Sequence, residues 1–349
     1  MRIGMQLEHR RGFLEAVAEL RDLERAGLGT VSVAELYSFD AVSQLGYLAA
    51  VTDHLEIASG ILPIYSRTPA LTAMTAAGLD YVSGGRFTLG LGVSGPQVIE
   101  GFHGVPYDAP LARTREVVEI CRAVWRRETL AYEGRHYRLP LGPGEGTGLG
   151  KPLKLLNRPV RERIPVMIAA IGPRNTALAA EIAEVWEPAF FHPERAEEVF
   201  GAALAQGLAR RAPELGALRV HVDAPAAIGE DVADALDQAR LRLAHYIGGM
   251  GARGRNFYFD LACRYGHTEQ AERIQDLYLD GRRREAAAAV PEALVRGVSL
   301  IGTCAEVADR VAAFAAAGVT TLSLSPMGRA TSTPEARVRL VEQIAAMAG

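Results

Sequence analysis

The stretch Gly90-Leu91-Gly92-Val93-Ser94-Gly95 spells G-x-G-x-x-G, the pattern that lays a pyrophosphate against a helix N-terminus. Such a loop follows the first strand of its unit, opens a helix, and has an acidic residue about twenty positions later. Here the motif comes after three strand–helix units, and the residues that follow, PQVIEGFHGVPYD, read as loop. Glu116, the acid nearest the required distance, falls in an amphipathic helix. The pyrophosphate reading fails on all of these counts. A strand reading explains more, because alternation puts Phe87, Leu89, Leu91 and Val93 on one face and Thr88, Gly90, Gly92 and Ser94 on the other. A face that small either admits a neighbour's large side chain or leaves room for a ligand. Other chemistry is sparse. Cys121, Cys263 and Cys304 form no C-x-x-C pair and suit a reducing cytoplasm. The 8 histidines include no H-x-x-x-H, so no metal site is expected, and no Ser-His or Cys-His nucleophile is evident.

The elements that must position these residues alternate. Strands are expected at 2–7, 30–34, 55–62, 86–93, 165–170, 185–190, 218–224 and 319–325. Helices are expected at 13–26, 41–52, 69–82, 111–126, 173–183, 193–210, 231–246 and 304–317. Eight such units imply parallel strands with right-handed crossovers, and over 349 residues they suit an α/β fold of the (β/α)8 TIM-barrel type. Segments 129–163 and 247–296 break the repeat and read as insertions into one domain spanning 1–349. A net charge of −3 argues against a nucleic-acid surface. No apolar run has the length of a signal peptide core or a bilayer span, so a cytoplasmic protein with no membrane partner is expected.

The run SGILPIYSRTPALTAMTAAGLDYVSGGRFTLGLGVSG resembles the luciferase-like monooxygenase superfamily, in its branch of oxidoreductases that use the deazaflavin coenzyme F420. GTGLGKPLKLL (146–156), IPVMIAAIGPRNTALAAEIAEVW (164–186), YIGGMGARGRNFYFDLACRYG (246–266) and GVTTLSLSP support it. The resemblance implies a bacterial-luciferase-like barrel and three cofactor-binding regions. The first is Ser59-Gly60-Ile61, with a non-proline cis peptide between Gly60 and Ile61 behind the ring. Val93, Ser94 and Gly95 form the second. The third is Ala170, Gly172, Pro173, Arg174, Asn175 and Thr176, where a helix N-terminus with its free N–H groups and partial positive charge suits a phosphate.

Relatives that oxidise alcohols carry an Asp-His pair after the second strand, whereas this chain has Glu35-Leu36. Glu35 is the candidate acid/base group, and an end-of-strand ion pair is its alternative. Tyr37 and His192 are candidates for substrate contact, and Arg67 and Lys151 for the polyanionic oligoglutamate tail of F420. The glycines of GGMGARGRNFY suit either a mobile lid or a fixed set of turns. The leading expectation is hydride transfer between F420 and a small organic substrate, in a homodimer. An FMN-dependent monooxygenase of the same superfamily and a non-catalytic cofactor-binding protein are the other two readings.

Overall fold

Short runs rich in β-branched residues and glycine alternate with amphipathic segments, and the chain closes them into a barrel. The computed structural model describes residues 1–7 and 12–349, so the charged run 8–11 lies outside the described residues. The barrel strands are β1 (Arg2–Gln6), β2 (Leu28–Val33), β3 (Glu56–Ser59), β4 (Phe87–Gly92), β5 (Val166–Ala169), β6 (Val185–Glu187), β7 (Arg219–Ile228) and β8 (Thr321–Pro326). Each pairs in parallel with the next, and β8 returns to β1, which closes the sheet. This is a (β/α)8 TIM barrel, with all eight strands at the places expected from alternation.

Several boundaries differ from expectation, each for a local reason. The third strand is not continuous: β3 stops at Ser59, the Gly60–Ile61 peptide is cis, and Leu62–Pro63 then rejoins β4. Residues after Gly95, expected as loop, form helix Pro96–Gly101, a single turn and a half too short to show helical periodicity. The segment 13–26 is two helices, Phe13–Ala18 and Leu20–Arg25, meeting at Glu19. Helix Pro334–Ala348 extends the chain beyond the expected elements, capped by the Thr333 side chain and burying Leu340, Val341 and Ile344.

Barrel interiors are ordinarily filled by bulky branched side chains. Apart from Met167 and Val185, which pack with Ala58, much of this one is small or polar instead. Gly90 has no room for a side chain, since a Cβ there would lie 1.7 Å from the Ser59 carbonyl oxygen, and one on Gly92 would lie 2.7 Å from the Ile61 side chain. The small face of β4 therefore admits the end of β3. Thr88 donates to Glu56 at 2.6 Å, and Arg242 reaches in from helix Ala233–Gly249 to pair with Asp223 at 2.6 Å. Burial holds His221 well below the usual imidazole range, at about 4. Above these groups the barrel opens at the carboxyl ends of its strands.

The two excursions from the repeat pack on the same apolar core. The first carries a two-strand hairpin, Tyr132–Glu133 with Arg138–Leu139. The second contains helices Phe257–Arg264, Thr268–Leu279, Arg283–Ala288 and Glu292–Gly297, whose Leu261, Ile274 and Leu294 are core residues.

Candidate active site

A cavity of about 720 Å3 lies at the carboxyl ends of the strands. One wall is backbone: Gly60 and Ile61 after β3, and Gly92 to Gly95 at the end of β4. The Gly60 N–H donates to Val33 at 2.8 Å, and the Ile61 carbonyl accepts from Glu35 N–H at 3.2 Å, so this wall is tied to β2. Ser94 sits in the left-handed region at φ 56°, a conformation that turns the chain into helix Pro96–Gly101. The far wall is Ala169 to Gly172 and Asn175, where β5 runs into helix Pro173–Ile182. No side chain caps that helix, Pro173 occupies its first turn, and a Cβ on Gly172 would meet nothing within 4 Å. The Asn175 side-chain oxygen is buried without a partner. An uncapped N-terminus with an open approach is a ready seat for an anion. From the second excursion, Arg264 donates to the Ile171 carbonyl at 2.6 Å and fixes the loop leading to Gly172.

The roof is aromatic: Tyr246 comes from helix Ala233–Gly249, Tyr258 from that excursion and Phe190 from the loop after β6. Tyr246 and Tyr258 meet edge to face at 4.7 Å between ring centres, and Phe190 packs on both. Asn256 locks them in place: its carbonyl accepts from Tyr258 N–H at 2.9 Å, and its amide donates to Ile247 at 2.9 Å. The glycines here serve close packing, as a Cβ on Gly248 or Gly249 would collide with Tyr278 and one on Gly251 with Arg255. This favours the fixed arrangement over the mobile lid.

Of the residues singled out from sequence, Glu35, Tyr37, Gly60, Ile61, Val93, Ser94, Gly95, Ala170, Gly172 and Asn175 line the cavity. Others do not. Ser59 is fully buried beneath the wall, donating to Gly90 O at 2.9 Å and accepting from Gly90 N–H at 2.8 Å. Thr176 is buried inside its helix, Pro173 and Arg174 are exposed beside the cavity, and Lys151 lies on the exposed first excursion. Arg67 is engaged with Glu35 and Asp40, the latter at 3.0 Å, so its charge faces carboxylates of its own chain. The same contacts occupy Glu35, whose second oxygen also accepts from Ala41 N–H at 3.1 Å. The ion-pair reading of Glu35 is thus the one its geometry fits. His192 turns away from the cavity toward Glu194 at 3.0 Å and packs on Tyr265.

Glu187 was missed. It lies at the carboxyl end of β6 and lines the cavity beneath the aromatic roof. An acid closing a barrel strand is a readable signal, obscured here because the expected strand ran on to Phe190. Burial first, and the Asp223 carboxylate second, push the Glu187 carboxyl up to about 8. His245, Tyr246, Tyr258 and Phe102 were also missed: the first two end the expected helix 231–246, Tyr258 lies in the excursion and Phe102 just past helix Pro96–Gly101, and no local pattern dictates that they reach the cavity.

Residues 1–321 match the family model described as luciferase-like monooxygenase. This protein belongs to the luciferase-like monooxygenase family. A Mycobacterium tuberculosis relative named "Putative coenzyme F420-dependent oxidoreductase" is 41% identical over 333 residues, spanning 92% of this chain and 93% of its own. The 5,10-methylenetetrahydromethanopterin reductase of Archaeoglobus fulgidus is 26% identical, over 94% of each chain. The solved F420-dependent tetrahydromethanopterin reductase of Methanopyrus kandleri superposes with a TM-score of 0.78, covering 99% of this chain and 97% of its own at 22% identity. That last likeness is one of fold. No helix among the described residues is long and apolar enough to cross a membrane.

Proposed function

We propose that this protein is an F420-dependent oxidoreductase that transfers a hydride between the deazaflavin and a small organic substrate at the barrel mouth. The observation that carries this reading is what lines the cavity: backbone at Gly60–Ile61 and Gly92–Gly95 together with an uncapped helix N-terminus at Gly172. The 41% identical relative's name supports the choice of coenzyme. The open approach at Gly172 fits a cofactor phosphate, and the unpartnered Asn175 oxygen, an acceptor, fits a hydroxyl of its linker. When bound, the deazaflavin supplies two-electron hydride chemistry from a ring carbon. The chain's own residues do the rest. Gly172 and the first free N–H groups of helix Pro173–Ile182 would hold the phosphate, Asn175 would accept from the linker, and Gly60, Ile61 and Val93–Gly95 would abut the ring. The Glu35–Arg67 pair fixes the loop beside the ring, and Tyr246, Tyr258 and Phe190 exclude water from the reacting face.

A homodimer belongs to the same proposal. Helix Pro69–Val82 presents Leu71, Met74, Tyr81 and Val82 to solvent, all about half exposed or more, with Gly78 open between them. Spaced three, four and three residues apart along one helix face, Leu71, Met74, Gly78 and Tyr81 form an apolar stripe suited to the same helix of a second copy.

Titrating the apo-protein with F420 and with FMN in one buffer, by fluorescence, tests the cofactor. The proposal expects F420 to bind at least tenfold more tightly. Tighter binding of FMN would replace it with the FMN-dependent monooxygenase reading.

A further inference from the structure

Six described groups in or beside the cavity could carry a proton besides Glu187; the sixth, Tyr37, lies out at the rim, 60% exposed against Phe102, and the geometry engages four of the other five elsewhere. Glu35 is held by Arg67 and by Ala41 N–H. Asp223, on the neighbouring strand β7, is held by Arg242 at 2.6 Å and by the Ser325 hydroxyl at 2.9 Å. His245 shares its Nδ1 with the Tyr278 hydroxyl at 2.6 Å. Tyr258 is buried in the roof, and burial pushes its phenol up, away from proton transfer near neutrality. Tyr246, the fifth, packs between Tyr258 and Phe190 with its ring committed to the roof.

Glu187 stands apart. Strand alternation from Val185, which packs with Ala58 and Met167 inside the barrel, directs Glu187 inward two residues further up. Its register partner on β5 is Ala169, so no bulky neighbour covers it there. Among the described residues none donates a hydrogen bond to its carboxyl, and the charge acting on it is that of Asp223, of the same sign.

We propose that Glu187 is the proton donor of the reaction, giving its carboxyl proton to the heteroatom of a polarised C=O or C=N bond in the substrate. This rests on the F420 reading above. The hydride and its two electrons come from the reduced deazaflavin, which is left oxidised. The substrate's C=X π bond breaks, a C–H and an X–H bond form, and the Glu187 carboxylate that remains is reprotonated by water. The direction of the Glu187 shift agrees, since a carboxyl raised to about 8 still holds its proton at neutral pH. The titratable and charged groups around it are His221 and Asp223 of β7 with Arg242 on the latter, Tyr246, His245 and Tyr258 from the roof, and Tyr37 and the paired Glu35 at the mouth. Aromatic walls around one acid select an uncharged, largely apolar substrate body.

Two readouts test this. Infrared difference spectra of the wild-type apo-protein should show a protonated carboxyl band at pH 6 that titrates away near about 8 and is absent from Glu187→Gln. No such band at pH 6, or one that survives in Glu187→Gln, overturns the assignment without a cofactor being involved. Reoxidation of reduced F420 is then followed with benzaldehyde, acetophenone and 3,4-dihydroisoquinoline as probes. Glu187→Gln should bind F420 within threefold of wild type and lose about 100-fold or more in rate. Equal rates in the two proteins, or no probe accepted by wild type, overturn the donor role or the substrate class respectively. Failure of wild type to bind F420 would instead overturn the cofactor reading, leaving the infrared result to judge Glu187 alone.

Discussion

At Gly172 a side chain would meet nothing within 4 Å, so the position owes nothing to packing. Gly172→Leu should therefore leave the melting temperature within about 2 °C of wild type while weakening F420 at least tenfold, roughly 1.4 kcal/mol. A variant that binds normally would remove the loop from the phosphate site. Glu187 makes a prediction about stability as well as chemistry. Its folded-state carboxyl binds a proton more tightly than the unfolded chain's, so its contribution is complete below 4.5 and is lost as pH rises through about 8. Buried His221 has the opposite sign: its folded value near 4 lies below 6.5, so stability is lost as pH falls through that interval. Thermal melts across pH 5 to 9 should show Glu187→Gln gaining on wild type as pH rises. A constant offset between the two would contradict the raised carboxyl. Neither group was legible beforehand as perturbed, because their environment is made by other strands.

At the scale of elements, the meeting of β3 and β4 governs the site. The alternation of FTLGLGVSG was enough to place its glycines on one face, but not to say what would fill the space. The structure fills it with the Ser59 carbonyl and the Ile61 side chain, contributed by a strand thirty residues earlier. Gly90→Ala should cost about 3 kcal/mol or more by overpacking, seen as a lowered denaturant midpoint, and a near-neutral result would deny the close approach. Ser94 offers the converse. Its left-handed backbone disfavours a side chain, so Ser94→Gly should stabilise by about 1 kcal/mol. The Glu35–Arg67 pair anchors the loop after β2, with side chains only 9% and 13% exposed. Removing the cation alone, as in Arg67→Met, should cost about 3–5 kcal/mol by stranding a buried carboxylate. A loss under about 1 kcal/mol in chemical denaturation would mark the pair as solvent-screened.

For the whole molecule, the barrel was legible because its signal is repetitive: eight short strands with helices between them, each punctuated by proline, glycine or a capping residue. The mouth was half legible. Residues at strand ends, such as Gly60, Ser94 and Gly172, lie where any such barrel builds its site, whereas the Tyr246–Tyr258 roof depends on how an excursion of several helices folds back. Tertiary placement of that kind leaves no periodic trace. The exposed stripe on helix Pro69–Val82 bears on assembly: Met74→Glu with Tyr81→Glu should convert a dimer to a monomer in light scattering, and an unchanged mass would place any interface elsewhere.

The central claim is that one cavity holds the deazaflavin from Gly60–Ile61 to Gly172. A crystal structure of the protein with F420 tests it most directly. The account predicts the ring against Gly60, Ile61 and Val93–Gly95 and the phosphate on the N–H groups that open helix Pro173–Ile182. A phosphate seated on Gly90–Gly95, or a cofactor lying outside this cavity, would contradict it.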